Sequence, residues 1–347
     1  MKRILLTGYY GFDNLGDEAV LQAIISLLRQ TEPNCQICVL SNNPQQTEKA
    51  YQVKAVNRWK LGQVWYALKH TDLFVLGGGS LLQDVTGSRS LAFYLLQMKM
   101  AHMAGKPTVI FSQGLGPLLS EKSRRKTAKA LNRCAFLSFR DNQSAELART
   151  IGVEAAKIEV DCDPVLTLSI ACANIQQKNM LGVALRPWPG LQAQAAASVL
   201  DELVAEGQTI KLLPFHEPQD RQLAEKIAAL MCSKPQIMAA GLTASEVIGE
   251  ISACEAVVGM RLHSLVMAAA TGTPFGGISY DPKIDSFCAQ TQNPLLCEVS
   301  GFNLGCLDSI RAFLRNKEKY QAELTVKQRH WLTLSVVTAQ KILSAVK

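Results

Sequence analysis

The chain has 347 residues, 48 % hydrophobic and 19 % charged, which excludes disorder along its whole length and leaves room for two domains with separate cores. The 36 basic residues exceed the 29 acidic ones by 7, a modest surplus that suits an anionic substrate or an anionic surface. Aromatic residues at 6 % are too few for base-stacking platforms, and no nucleic-acid motif is present.

Short apolar runs alternate with amphipathic stretches, the pattern of α/β units around parallel sheets. The chain opens on a strand at residues 3–7 that runs into Gly8. Further strands are expected at 36–41, 73–77, 108–113, 135–139 and 157–160, with helices at 17–30, 64–69, 90–104, 122–132 and 143–150. A second series of strands follows at 181–185, 210–213, 236–238, 256–259 and 275–279. Its helices read 193–206, 219–231, 244–251 and 263–271. Residues 166–180 are polar and irregular enough to be a linker, and the pattern is helical from 309 onward. The expected organisation is a domain over 1–165, a second over 181–310, and C-terminal helices over 311–347. Both domains read as Rossmann-like and doubly wound, facing across a cleft.

The opening segment lacks the apolar length and cleavage site of a secretion signal. Residues 91–119 are interrupted by Lys99, His102, Lys106 and Pro107, so they do not read as a membrane span. The ten cysteines are scattered rather than paired in spacing, and read as buried thiols of a reducing compartment. Cys35 and Cys38 have no second pair to complete a zinc site. A cytoplasmic protein with no obligatory metal or cofactor is expected.

In open parallel sheets ligands sit beyond the carboxyl ends of the strands, so the residues found there carry the functional reading. Gly8, Gly11 and Gly16 lack dinucleotide-fold spacing, and the loop ends Asn14-Leu15-Gly16-Asp17-Glu18 as the first helix opens. Asp17 is either a helix cap or, with Asn14 and Glu18, a set of acceptors for the hydroxyls of a polyol. Gly77-Gly78-Gly79-Ser80 follows an apolar strand, and Gly78 and Gly79 permit close backbone approach to an oxygen-rich ligand, or simply a tight turn. Arg140 ends the fifth strand, where it pairs with Asp141, caps a helix, or meets an anion. In the second half, Arg261 and His263 lie between a buried strand and an apolar helix, and Lys283 follows the next strand. Arg140, His263 and Lys283 together describe a site for a small, highly charged anion gripped from both domains.

These motifs also carry a resemblance. The chain resembles the polysaccharide pyruvyltransferases of the CsaB-like branch nearly end to end. The likeness rests on residues 8–18 with Asn-x-Gly-Asp-Glu, residues 76–79, Gln113-Gly114-x-Gly116-Pro117 and Ser138-x-Arg140-Asp141. It continues through Asp163-Pro164, Gly259-x-Arg261-x-His263-Ser264 and Tyr280-Asp281-Pro282-Lys283. The resemblance implies a GT-B-like fold, phosphoenolpyruvate as donor, and a pyruvate ketal on a sugar of a cell-wall polysaccharide or its lipid-linked precursor. It places the family's donor-site Arg, His and Lys on Arg140, His263 and Lys283, with the second domain as donor side and the first as acceptor side.

That donor suits the residues. Arg140 and Lys283 would bind the anionic groups, with Arg261 assisting or structurally paired, and His263 would protonate C3 as general acid. Asp17 or Glu18 would activate or orient the acceptor hydroxyl. Lys122, Arg124, Arg125, Lys126, Lys129 and Arg133 crowd one helix, either as a solvated face or as a contact for the inner face of the cytoplasmic membrane. Two rival readings stand beside this one. A nucleotide-sugar glycosyltransferase would want a ribose-holding carboxylate in the second domain, with Glu246, Glu250 and Glu255 available. A non-catalytic binding protein would keep the cleft without the chemistry.

Overall fold

The computed structural model describes residues 1–85, 87–168 and 179–346, so most of the expected linker lies outside the described residues. Contacts divide the chain into two compact units. Residues 1–13, 17–167 and 331–347 form the first, and residues 14–16 with 168–330 form the second.

The first unit is built on eight strands: β1 (Arg3–Thr7), β2 (Gln36–Ser41), β3 (Lys54–Asn57), β4 (Leu73–Leu76), β5 (Gly79–Leu82), β6 (Thr108–Leu115), β7 (Phe136–Phe139) and β8 (Ile158–Val160). They lie parallel in the order β3-β2-β1-β4-β6-β7-β8, with β5 added against β6. Between them run α1 (Leu15–Thr31), α2 (Pro44–Tyr51), α3 (Leu61–Lys69), α4 (Ser88–Met103), α5 (Glu121–Leu131) and α6 (Asn142–Thr150). Every residue of β4 and of β6 is buried, as a parallel sheet covered on both faces requires.

The second unit holds β9 (Met180–Ala184), β10 (Thr209–Leu212), β11 (Gln236–Ile237), β12 (Ala256–Gly259), β13 (Phe275–Ser279) and β14 (Leu295–Glu298). Their order is β11-β10-β9-β12-β13-β14, again all parallel. The helices are α7 (Ala193–Ala205), α8 (Gln219–Leu230), α9 (Ala244–Ser252), α10 (Leu262–Thr271), α11 (Pro282–Thr291), α12 (Leu307–Arg315) and α13 (Lys317–Ser344). In each sheet the strand order reverses once, at β1/β4 and at β9/β12. Crossovers leave such a point in opposite directions, which opens a crevice beyond the strand ends. Those two places position everything that follows.

Three strands and two helices escape the sequence pattern. β3 and β14 are sheet edges and half-covered, so they lack the apolar run of a buried strand. β5 opens on a glycine, α2 is strongly polar, and α11 begins at the Asp281-Pro282 pair that caps and starts it. Cys232 also departs from expectation: it is exposed, in the turn after α8, where its N–H is held by Asp201 at 2.9 Å.

The chain from residue 331 on, which includes the second half of α13, counts with the first unit, which periodicity alone does not indicate. It is fixed to the sheet through buried Asp161. Ser335 Oγ donates to its Oδ1 at 3.1 Å and Ser112 Oγ to its Oδ2 at 2.6 Å. Ser112 adopts φ +48° inside β6, where the register with β7 shifts. Farther out, Lys341 reaches both carboxylate oxygens of exposed Glu159 at 2.7 Å. The two contacts differ in solvent access, so they differ in worth. Ser335→Ala removes a donor from a buried carboxylate and is expected to destabilise the first unit by about 1–3 kcal/mol. Lys341→Ala breaks a solvent-exposed pair and should cost less than about 1 kcal/mol. Hydrogen exchange in β6 and β8 of the two variants checks that ranking.

Candidate functional site

In the first unit the β1/β4 reversal is lined by the loop after β1, the glycines after β4, and the start of α1. The Tyr10 ring is fully buried between Gly8 of the first loop and Gly77 after β4. A Cβ on Gly8 would fall 2.2 Å from the ring, and one on Gly77 would fall 2.1 Å from the hydroxyl. Gly78 is hemmed in likewise, with Val20 at 2.9 Å from where its Cβ would stand. Gly77 and Gly78 thus make room for protein side chains. Gly79 differs: its φ is +87°, and Asp17 Oδ1 lies 3.2 Å from its would-be Cβ.

Asp17 and Glu18 share the first turn of α1 and have separate employment. Glu18 fixes the loop, accepting from Gly11 N–H at 2.8 Å and from the Tyr51 hydroxyl at 2.7 Å. Burial raises its carboxyl, while the bonds from Tyr51 and Gly11 hold it down. Asp17 accepts no hydrogen bond among the described residues, so the capping role open to it is not taken. It is half-buried, and the loss of surrounding water pushes its carboxyl up to about 7. Glu18 and Asp163 add to that shift by repulsion, and Arg140 and Arg58 oppose it.

Arg140 ends β7 and is only 7 % exposed. Its Nη1 meets Asp163 Oδ2 at 2.7 Å, its Nη2 donates to Ser80 Oγ at 3.2 Å, and Asp141 lies farther off at 3.8 Å. The main carboxylate partner is therefore Asp163, while Asp141 caps α6 by accepting from Ser144 N–H at 2.7 Å. Gly114 gives the guanidinium its place, since a Cβ there would sit 3.1 Å from Nε and 2.6 Å from Ser80 Oγ. Arg58, which sequence reading passed over, is 2 % exposed and has no carboxylate partner among the described residues. Its guanidinium donates to Gly8 O at 2.6 Å and to Tyr94 Oη at 3.1 Å. The rings of Phe12, Trp59, Phe93 and Tyr94 surround it at 4.6–5.4 Å. A cavity of about 640 Å³ opens at the ends of β2 and β3, lined by amides that include Asn42, Asn43, Asn57 and Gln63.

In the second unit Arg261 precedes α10 and clasps Asp220 with two bonds, Nε to Oδ2 at 2.8 Å and Nη2 to Oδ1 at 2.5 Å. Asp220 is 1 % exposed and also accepts from the N–H groups of Phe215 and His216 at 3.2 and 3.0 Å. Arg261 is thereby paired with a buried carboxylate. His263 stands in the first turn of α10, its ring against Gly16, where a Cβ would fall 2.2 Å from Nδ1. Asn14 accepts from Gly16 N–H at 3.1 Å and forms an isolated bridge with His216. Lys283 lies in the first turn of α11, with its N–H capped by Asp281 at 2.9 Å. His263 and Lys283 thus follow adjacent parallel strands. Among the described residues no group of three or more His, Cys, Asp or Glu side chains is placed to hold a metal ion.

A family model described as polysaccharide pyruvyl transferase matches residues 14–282, well over half of the chain. The chain belongs to that family. As a polysaccharide pyruvyl transferase family member it is an enzyme, and the match spans Asn14, Asp17, Glu18, Gly78, Gly79, Arg140, Arg261 and His263, with Lys283 one residue beyond. Solved structures agree on the fold. UDP-GlcNAc 2-epimerase from Neisseria meningitidis bound to UDP-GlcNAc aligns at TM-score 0.68 and 14 % identity, covering 99 % of each chain. Anabaena Alr3699/HepE in complex with UDP and glucose aligns at 0.63 and 13 %, covering 99 % of this chain and 98 % of that one. At such identities the likeness shows the fold alone: two parallel-sheet α/β domains of the GT-B type.

The perturbed Asp17 gives this family member a pH signature. A carboxyl whose folded value is raised to about 7 binds protons more tightly folded than unfolded between about pH 4 and 7. Its contribution is therefore most favourable below pH 4 and is lost as pH rises toward 7, by at most about 1.4 kcal/mol per unit. Asp17→Asn cannot ionise. Its melting temperature relative to the parent should climb from pH 4 to 7 and level off above 8, read by thermal unfolding across that range.

Proposed function

We propose that the enzyme transfers the pyruvyl group of phosphoenolpyruvate to two hydroxyls of a saccharide, a cell-wall polysaccharide or its lipid-linked precursor, and releases phosphate. The family match over residues 14–282 carries this reading. Protonation at C3 turns the methylene into a methyl and leaves C2 electron-poor. One hydroxyl oxygen bonds to C2 and its proton departs, the C–O bond to phosphate breaks, and the second hydroxyl closes the ketal. His263 supplies the C3 proton. Lys283 receives an anionic group of the donor, and Arg140 contributes through Nη2, whose protein contact is the Ser80 hydroxyl.

Asp17 is the acceptor-side base in this reading. A carboxyl pushed up to about 7, with no donor on it among the described residues, takes a hydroxyl proton more readily than an ordinary carboxylate. Glu18 holds the loop instead. The amide-lined cavity of the same unit offers donors and acceptors of the kind sugar hydroxyls need. The nucleotide-sugar alternative is weakened by its own candidates. Glu246 closes a capping box with Thr243, Glu250 pairs with Lys211, and Glu255 bonds Asn179 N–H and Lys317, both at 2.8 Å.

Thermal-shift titration separates the two donors: phosphoenolpyruvate is expected to stabilise the protein and UDP-GlcNAc to leave it unchanged. Stabilisation by UDP-GlcNAc alone would replace pyruvyl transfer with nucleotide-sugar chemistry. In a phosphate-release assay, release should depend on added saccharide, and His263→Ala should lower kcat by roughly 100-fold or more with little change in donor affinity. Equal loss of both would make His263 a binding residue.

Among the described residues no helix is long and apolar enough to cross a membrane. A lipid-linked acceptor would be met at the membrane surface, and α5 offers the means. Lys122, Arg124, Arg125, Lys126, Lys129 and Arg133 are all exposed on α5 and just after it. Binding to anionic vesicles that disappears at about 0.5 M salt is expected by co-sedimentation. Absence of salt-sensitive binding would remove the membrane contact.

A further inference from the structure

Arg186 follows β9, the strand at which the second sheet reverses its order. Among the cations of the proposed site whose pairing is described, Arg140 is matched by Asp163 and Arg261 by Asp220. Among the described residues Arg186 has no carboxylate partner. Its guanidinium is set between two rings, 5.1 Å from the centre of Trp188 and 5.5 Å from that of Tyr280, which themselves meet edge to face at 4.7 Å. Nη1 donates to the Tyr280 hydroxyl at 3.3 Å. Among the described residues Nε is shut off from water without an acceptor, while Nη2 has no acceptor and reaches solvent.

Nε and Nη2 form the side edge of a guanidinium, two parallel N–H groups spaced to fit the two oxygens of one carboxylate or phosphate. A buried donor without an acceptor is unfavourable and rare in a folded protein. Here it lies on a cation already aimed by two aromatic faces, at the reversal point where parallel sheets bind ligands. We infer that Arg186 is an oxyanion-binding residue of the second unit, taking the carboxylate or the phosphate of the donor on its Nε–Nη2 edge. The inference rests on the pyruvyl-transfer reading for the identity of that donor. The anion enters at the open Nη2 corner, beside the Trp188 ring, which is 38 % exposed. Tyr280 fixes the arginine from the strand that leads, three residues on, to Lys283.

The test is a thermal-shift and tryptophan-fluorescence titration of the parent, Arg186→Gln and Arg186→Lys with phosphoenolpyruvate, pyruvate and inorganic phosphate. The parent should bind phosphoenolpyruvate, and Arg186→Gln should bind it on the order of tenfold to hundredfold more weakly. Arg186→Lys keeps the charge without the fork, so it should weaken binding as well, and it carries the test if the glutamine variant does not fold. Loss confined to pyruvate assigns the carboxylate to Arg186, and loss confined to inorganic phosphate assigns the phosphate. Unchanged phosphoenolpyruvate affinity in both variants would overturn the role of Arg186 and leave pyruvyl transfer standing. If pyruvate or phosphate binds through Arg186 and phosphoenolpyruvate does not, the anion site stands and the donor assignment falls. A parent that responds to none of the three overturns both.

Discussion

The constraint on which the rest depends is the single reversal of strand order in each parallel sheet, at β1/β4 and at β9/β12. Strands buried on both faces are largely apolar, and the few polar groups they carry are tied up inside the protein, as Ser112 is by Asp161. Polar groups are pushed to the strand ends, and only at the reversal do those ends escape the cover of the crossovers. That is where Tyr10, Asp17 and Gly79 stand in the first unit, and Arg186, Arg261 and His263 in the second. The same geometry dictates which glycines appear. A bulky ring turned inward at Tyr10 leaves no space for a Cβ at Gly8 or Gly77, so those two glycines follow from packing next to the site.

Charge inside such a fold has to be matched or sheltered, and the arginines show both solutions. Arg140 and Arg261 are held by the buried carboxylates of Asp163 and Asp220, and removing either partner of such a pair typically costs about 3–5 kcal/mol. Among the described residues Arg58 has no carboxylate partner and is stabilised instead by four ring faces and the Gly8 carbonyl, which ties the β1 loop to the turn after β3, although its Nε stays buried without an acceptor. Arg186 uses two rings and also leaves Nε unmatched, but beside an Nη2 that reaches solvent.

Much of this was legible in the sequence, and the failures are instructive. β1, β2, β12 and β13 fall where apolar periodicity puts them, because buried parallel strands write their burial directly into composition. The edge strands β3 and β14 do not, since half-exposed residues such as those of Lys54–Asn57 carry no such mark. At the site, position was readable and pairing was not. Residues at strand ends were found by chain order, but that Arg140 would meet Asp163, 23 residues on, and Arg261 would meet Asp220, 41 residues back, depends on packing of distant elements. Arg186 lies just past a strand end, before Pro187, but the unmatched edge that makes it notable exists only in three dimensions. Arg58 gave no signal, since a lone arginine in a polar turn looks solvated until the rings close over it.

Asp17 and Glu18 show how far apart two adjacent carboxylates can be driven by surroundings alone. The helix turns them about 100° from each other, so one faces the glycine loop and the other the bared strand ends. Glu18 receives two donors and its charge becomes part of the scaffold. Asp17 receives none among the described residues, loses surrounding water, and sits beside the charge of its neighbour, so its charged form is held at a disadvantage. That disadvantage is a cost to folding near neutral pH, and nothing in the packing of the first unit requires it, since a neutral side chain of the same size would fit. A raised carboxyl at a place the fold leaves open is the property that the proposed role of Asp17, taking a proton from the acceptor hydroxyl, would use.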